Sequence, residues 1–191
     1  MNDETYTSKL AQADDLQSAA QYAESEAVLH EALEAYPNDP ELLLRLGMAQ
    51  FMTSSPAAVQ SLEAAAAAAP DDPSVLFRAA HLLFHLDEFA SASRLAKAAA
   101  RNTTDEFELR WSLVHLSGRL AAQQGKLAFA EQWLTAAFEE EPETTGHGQV
   151  LAEFLAAQGR RDEALRVARV ALGHRPGDER LERLVLQLTA D

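Results

Sequence analysis

Two stretches of this chain can be laid over two others without a gap. PELLLRLGMAQF, from Pro40, lies over PSVLFRAAHLLF, from Pro73. PAAVQSLEAAAAAAP, Pro56 to Pro70, lies over FASASRLAKAAARNT, Phe89 to Thr103, and both offsets are 33 residues. A fixed period of this size belongs to stacked structural repeats, each too small to bury its own apolar face and each completing the core of its neighbour. No other feature of the sequence restricts the fold as much.

Extended in both directions, the period gives five repeats, at about 5–37, 38–70, 71–103, 105–142 and 143–176. Small residues recur in three columns. The first is Ala13, Gly47, Ala80, Gly118 and Ala152; the second Ser25, Ala58, Ser91, Ala130 and Ala164; the third Ala32, Ala65, Ala98, Ala137 and Ala171. Antiparallel helices approach closely only where side chains at the crossing are small, so these columns predict helix pairs. Spacings in the second and third columns are 33, 33, 39 and 34, which places a short insertion before the fourth repeat. Pro37, Pro70, Pro142 and Pro176 close four repeats, with Thr103 in the place of the missing proline. Asn38, Asp39, Asp71 and Asp72 follow two of them and can cap the next helix. Gly125 and Gly159 fall where a helix must end in a left-handed turn.

Composition agrees with an all-α chain of this length. Hydrophobic residues make up 47% of 191, glycine and proline are few, and alternating β-branched strands are absent. The expected helices are 5–19, 23–36, 39–52, 56–69, 72–86, 88–101, 105–124, 127–140, 146–158 and 161–174, followed by DERLERLVLQLTA at 178–190. That last stretch has Leu181, Leu184, Val185 and Leu188 on one stripe and charges behind it, as a capping helix requires. The formal net charge is −14, which argues against nucleic acid, whose phosphates need a basic patch. Residues 1–70 hold eleven acidic and two basic side chains, a net of −9; this serves solubility or attracts a basic partner. The absence of cysteine removes disulfides, thiolate catalysis and Cys-ligated zinc. MNDETYTSKLAQADD lacks the apolar core of a signal peptide, and no apolar run is long enough to cross a bilayer. A cytoplasmic protein is expected, with no membrane insertion.

On these residues the chain resembles the tetratricopeptide repeat (TPR) family, whose signature is W-x2-L-G-x2-Y, then A-x3-F, then proline, over 34 residues. Leu46-Gly47 matches the L-G pair. Ala58, Leu62 and Pro70, and Ala130, Leu134 and Pro142, match the second half. The signature Trp position holds Lys9, Leu43, Leu76, Val114 and Gly148, and the Tyr position Leu16, Gln50, Leu83, Ala121 and Leu155. The resemblance implies an all-α, right-handed α-solenoid of about five helix pairs with a C-terminal capping helix, one domain over 1–191. It also implies binding of partners in the concave groove lined by the first helix of each repeat.

Carried over residue by residue, that groove would be lined by Leu44, Met48, Phe51 and Met52 in the second repeat and by Phe77, His81, Phe84 and His85 in the third. His115 and Arg119 follow in the fourth, and Gln149 and Glu153 in the fifth. Leu44 and Phe77 can equally be core; Met48, Phe51, Met52, Phe84 and His85 are expected to be partly exposed, because a helix apolar all round is either buried or bordered by what it binds. Methionine with phenylalanine suits an apolar segment. The lysines and asparagines with which some family members hold a C-terminal carboxylate are missing from these columns.

His81 and His85 have the i, i+4 spacing of metal ligands, with His115 in the matching set, but no carboxylate completes the group. Glu139, Glu140, Glu141 and Glu143 read as a solvated turn or as a contact for a basic partner. Gly146-His147-Gly148 reads as a flexible turn, and Trp111 and Trp133 as core or inter-repeat packing. No catalytic motif is present: His30-Glu31 lacks the second His of H-E-x-x-H, and no nucleophile elbow or phosphate loop occurs. No cofactor and no enzyme activity are expected. The function that follows is protein binding by a scaffold or adaptor, with two alternatives: a chaperone or assembly factor for a secreted or membrane-associated client, and a self-assembling module forming a homo-oligomer.

Overall fold

Aspartate and proline start the helices where the repeat puts them. Asp39 accepts the backbone N–H of Leu42 at 2.9 Å, with Pro40 at the first helical position. Asp72 does the same for Ser74 and Val75, ahead of Pro73. In a computed structural model, which describes residues 3–103 and 107–190, the chain is helical, and no strand occurs among the described residues. The helices are α1 (Asp3–Ser18), α2 (Tyr22–Ala35), α3 (Pro40–Met52), α4 (Ala58–Ala68), α5 (Pro73–His85), α6 (Phe89–Asn102), α7 (Phe107–Gln123), α8 (Leu127–Glu140), α9 (Thr145–Ala157), α10 (Arg161–His174) and α11 (Glu179–Thr189). They fall into two compact units, Met1–Leu109 and Arg110–Asp191. No described helix is long and apolar enough to cross a membrane.

In the first unit α1 packs on α2, α3 on α4 and α5 on α6, and each pair packs on the next. The core is made of leucines set among alanines: Leu29, Leu42, Leu62, Leu76 and Leu83 are fully buried, beside Ala13, Ala49, Ala58, Ala65 and Ala80. Gly47 shows why the first column must be small. A Cβ there would lie 2.7 Å from Leu62 Cδ2 and Cγ, so α3 and α4 are in contact at backbone distance. Gly118 of α7 meets Leu134 of α8 in the same way, again at 2.7 Å. In the second unit, α9, α10 and α11 share a core of Leu151, Leu155, Ala164, Ala168, Leu181, Leu184 and Leu188. The cap therefore buries the stripe its sequence offered. Arg161 donates to the carbonyl oxygens of Leu188 and Ala190 and so satisfies the end of α11.

The turn inside each repeat is left-handed at one fixed place. Ala20, Ser54, Asp87, Gly125 and Gly159 all have positive φ, between 57° and 74°, and each stands seven residues after the first small column. Glycine at 125 and 159 was expected for this reason; the other three repeats reach the same conformation without it.

One alignment needs correction. In the third repeat the buried small residues are Ala92 and Ala99, both at 0% exposure, not Ser91 and Ala98. The buried second column is therefore Ser25, Ala58, Ala92, Ala130 and Ala164, spaced by 33, 34, 38 and 34. The insertion before the fourth repeat remains, and the second repeat is one residue short at its inner turn. After Ser54 its chain reaches Ala58 in four residues, where the other repeats take five, and Pro56 precedes the helix, so α4 starts at Ala58 itself.

Candidate protein-binding surface

The three first helices of the N-terminal unit are tied together by charge. Arg45 of α3 pairs with Asp14 of α1 and, at 2.8 Å, with Glu41 on its own helix. The other oxygen of Glu41 takes Arg78 of α5 at 2.9 Å. One helical turn further along, this charged ladder gives way to an apolar and aromatic band. Met48 and Phe51 of α3 and Phe77 and His81 of α5 are half-buried, His85 is exposed, and Met52 is 48% exposed.

The aromatic rings of this band form a chain. Phe77 lies 6.0 Å from His81, and His81 stands edge-on to His85 at 4.8 Å. His85 reaches across to Phe51 of α3 at 6.5 Å and touches Phe84 at 5.5 Å, and Phe84 in turn meets Phe89 of α6 at 5.6 Å. Edge-to-face pairs of this kind contribute about 0.5–1.5 kcal/mol each beyond area burial. They hold α3, α5 and α6 in one register and leave Met48, Met52 and the His85 ring at the surface.

Two expected groove residues are core instead. Leu44 is 1% exposed and Phe84 7%. Leu44 points away from the face of Leu46 and Ala49 and is buried all the same, because α3 is covered by α2, α4 and α5, and Phe84 is enclosed by the rings on either side of it. Gln50, in the signature Tyr position, is also buried; it accepts from Ser61 Oγ at 2.7 Å and donates to Glu26 at 3.1 Å. The His81–His85 pair is thus part of an aromatic contact, and no group of three ligating side chains able to hold a metal occurs among the described residues.

His115 and Arg119 lie in the second unit, where His115 enters a cluster that the sequence did not signal. Its Nε2 is 2.6 Å from Nδ1 of His147, with the rings edge-on at 4.7 Å. His147 is 1% exposed and its Nε2 lies 3.8 Å from Glu141, which also accepts from Thr144 Oγ1 at 3.2 Å. Burial, helped by the neighbouring His147 and Arg119, pulls the His115 pKa down to about 4. Burial also lowers His147, against the opposing pull of Glu141. Gly146-His147-Gly148 is accordingly not a flexible turn but the first turn of α9. Gly148 is required there, since a Cβ would collide with Ala171 of α10 and press on Phe138. Glu141, expected in a solvated turn, faces this buried imidazole.

Trp133 is a further correction. It is 42% exposed on the outer side of α8, beside Phe129 at 50%, with ring centroids 5.7 Å apart. The side chain of Trp111 lies outside the described residues.

No protein-family model and no curated protein matches the sequence. Solved structures do. A thermophilic TPR protein of Thermus thermophilus superposes with a TM-score of 0.71 at 23% identity, covering 96% of this chain and 98% of that one. PilW, described as a widely conserved type IV pilus biogenesis factor, gives 0.75 at 18% identity over 91% of this chain and 79% of its own. YrrB, described as a TPR protein with an unusual peptide-binding site, gives 0.64 at 18% identity over 92% and 89%. Repeat length, small columns, buried faces and these superpositions agree: the chain has the tetratricopeptide repeat fold.

Proposed function

We propose that this protein is an interaction module that holds an apolar segment of a partner protein against the α3–α5 face of its N-terminal unit. The observation that carries the proposal is the exposed Met52 beside half-buried Met48, Phe51 and Phe77, on helices fixed by the ion ladder and the ring chain. Thioether side chains adapt to varied apolar partners, and a rigid backing reduces the entropy lost on binding. The net charge of −9 over residues 1–70 favours a partner whose apolar stretch is flanked by basic residues. A peptide-binding site in YrrB, which shares the fold, supports the same reading.

A second reading is a chaperone or assembly factor for a secreted or membrane-associated client, favoured by the likeness to a pilus biogenesis factor. Both readings place the client on the same face. The test is affinity capture with mass spectrometry, wild type against Met48→Glu/Met52→Glu, with circular dichroism to establish that both fold. A protein recovered by wild type and lost with the variant supports the proposal, and its solubility without this chain separates adaptor from chaperone. Equal recovery by both overturns the assignment of the face.

A further inference from the structure

We infer that Met48 and Met52 form a reversible oxidation site, at which hydrogen peroxide converts their thioethers to sulfoxides and so releases apolar partners from the α3–α5 face. The inference rests on the reading of that face as a binding surface. The chain has three methionines and no cysteine. Apart from Met1, all of its sulfur therefore stands on this one face, at positions i and i+4 of α3, where side chains are neighbours. Met52 ends the helix and is 48% exposed. It is the only large hydrophobic side chain so exposed among the described residues of the N-terminal unit. Met48, one turn earlier, is half-buried.

The reaction is a two-electron oxidation of sulfur. A sulfur lone pair attacks one oxygen of the peroxide, the O–O bond breaks and a sulfur–oxygen bond forms. The hydrogen of the transferred oxygen passes to the departing hydroxide, which leaves as water. No thiol in the chain competes for the oxidant. The sulfoxide oxygen is a strong hydrogen-bond acceptor. Pressed against an apolar segment it loses water and gains no donor, so each sulfoxide should weaken binding about tenfold. Methionine sulfoxide reductases return the thioether, which makes the change reversible. The backing of the face stays as it is. The core packing of α3 belongs to Leu42, Leu44, Leu46 and Ala49, and the chain of rings from Phe77 to Phe89 contains neither methionine. Oxidation therefore changes the chemistry of the surface and leaves its scaffold in place.

Peptide mapping by mass spectrometry after timed exposure to hydrogen peroxide reads the two sites one at a time. In the folded protein Met52 should gain its oxygen at close to the rate seen in the urea-unfolded chain, and Met48 several-fold more slowly. The neutral apolar dye Nile red reports on the face itself. Its fluorescence with the reduced protein should fall in Met48→Glu/Met52→Glu, and that difference is the share of this face. Peroxide should remove the same share from wild type, and methionine sulfoxide reductases should restore it. Circular dichroism of the folded protein should stay constant throughout. Met48→Leu/Met52→Leu should give the same fluorescence before and after peroxide. Equal fluorescence of reduced wild type and Met48→Glu/Met52→Glu overturns the binding face, and the oxidation switch with it. Where that difference is present, the switch alone is overturned by a Met52 that oxidises much more slowly folded than unfolded, by oxidised wild type that keeps the dye, or by a loss that persists in Met48→Leu/Met52→Leu.

Discussion

Acid should loosen the second unit through His115. Its imidazole is held neutral by burial and by His147 and Arg119, with the pKa lowered from 6.5 to about 4. At 2.6 Å the two imidazole nitrogens share one proton, and adding another sets two N–H groups against each other. The unfolded chain protonates near pH 6.5 and the folded one only near 4, so between those values the unfolded state binds more protons. Stability is complete above about pH 6.5 and is lost as pH falls towards 4. From the two pKa values, His115 alone costs about 2 kcal/mol between pH 7 and pH 5. His147, lowered in the same direction, adds to this. Both tryptophans, Trp111 and Trp133, lie in the second unit, so urea unfolding followed by their fluorescence reports on that unit. His115→Gln should be somewhat less stable than wild type at pH 7, because it loses the contact with a buried imidazole. Its further loss on going to pH 5 should be smaller than that of wild type by about 2 kcal/mol. If wild type and His115→Gln lose the same stability between these pH values, the pair is not what makes the unit acid-sensitive.

Two stability predictions follow from the backbone. Gly47→Ala inserts a methyl 2.7 Å from the fully buried Leu62. Overpacking of about 1–3 kcal/mol outweighs the gain of about 1 kcal/mol in helix propensity, so the urea midpoint should fall; a rise would show that Leu62 can move aside. Ala20→Gly removes an alanine with φ of 59° from an exposed turn and should stabilise by about 0.5–1 kcal/mol, read as a higher melting temperature, with a lower one contradicting the assignment of strain.

The helix pairs were legible because their cues are local and distinct. Asp39-Pro40 and Asp72-Pro73 announce α3 and α5, glycine at 125 and 159 announces two turns, and the leucine stripe of 181–188 announces the cap. The slip in the third repeat arose where such cues are missing. A helix built from Ala64–Ala69 matches SASRLAKAAA equally well in neighbouring registers, and only contact with the partner helix decides that Ala92 and Ala99 face inward. The left-handed turns at Ala20 and Ser54 leave no trace in residue type, since their conformation is imposed by the helices on either side, whereas Asp87 is of a type that tolerates it. The candidate surface was legible as a face but not in depth. Met48, Phe51, Met52 and His85 reach it, whereas Leu44 and Phe84, on the same helices and equally apolar, are taken by the core. His147 was hidden by its glycine neighbours, which suggest a loop unless the closeness of Ala171 to Gly148 is known.

The ladder from Asp14 through Arg45 and Glu41 to Arg78 bears on how far the repeats are interchangeable parts. Each inner member serves two partners, and the outer rungs, Asp14–Arg45 and Glu41–Arg78, each join two repeats through α3. Exchanging the second repeat for a generic one would strand Asp14 in the first and Arg78 in the third at once. Deleting Glu41 alone would leave two guanidinium groups facing each other. Energies measured one residue at a time along this line should not sum. The first three repeats are therefore coupled through α3, and a cut or splice on either side of it breaks an ion pair.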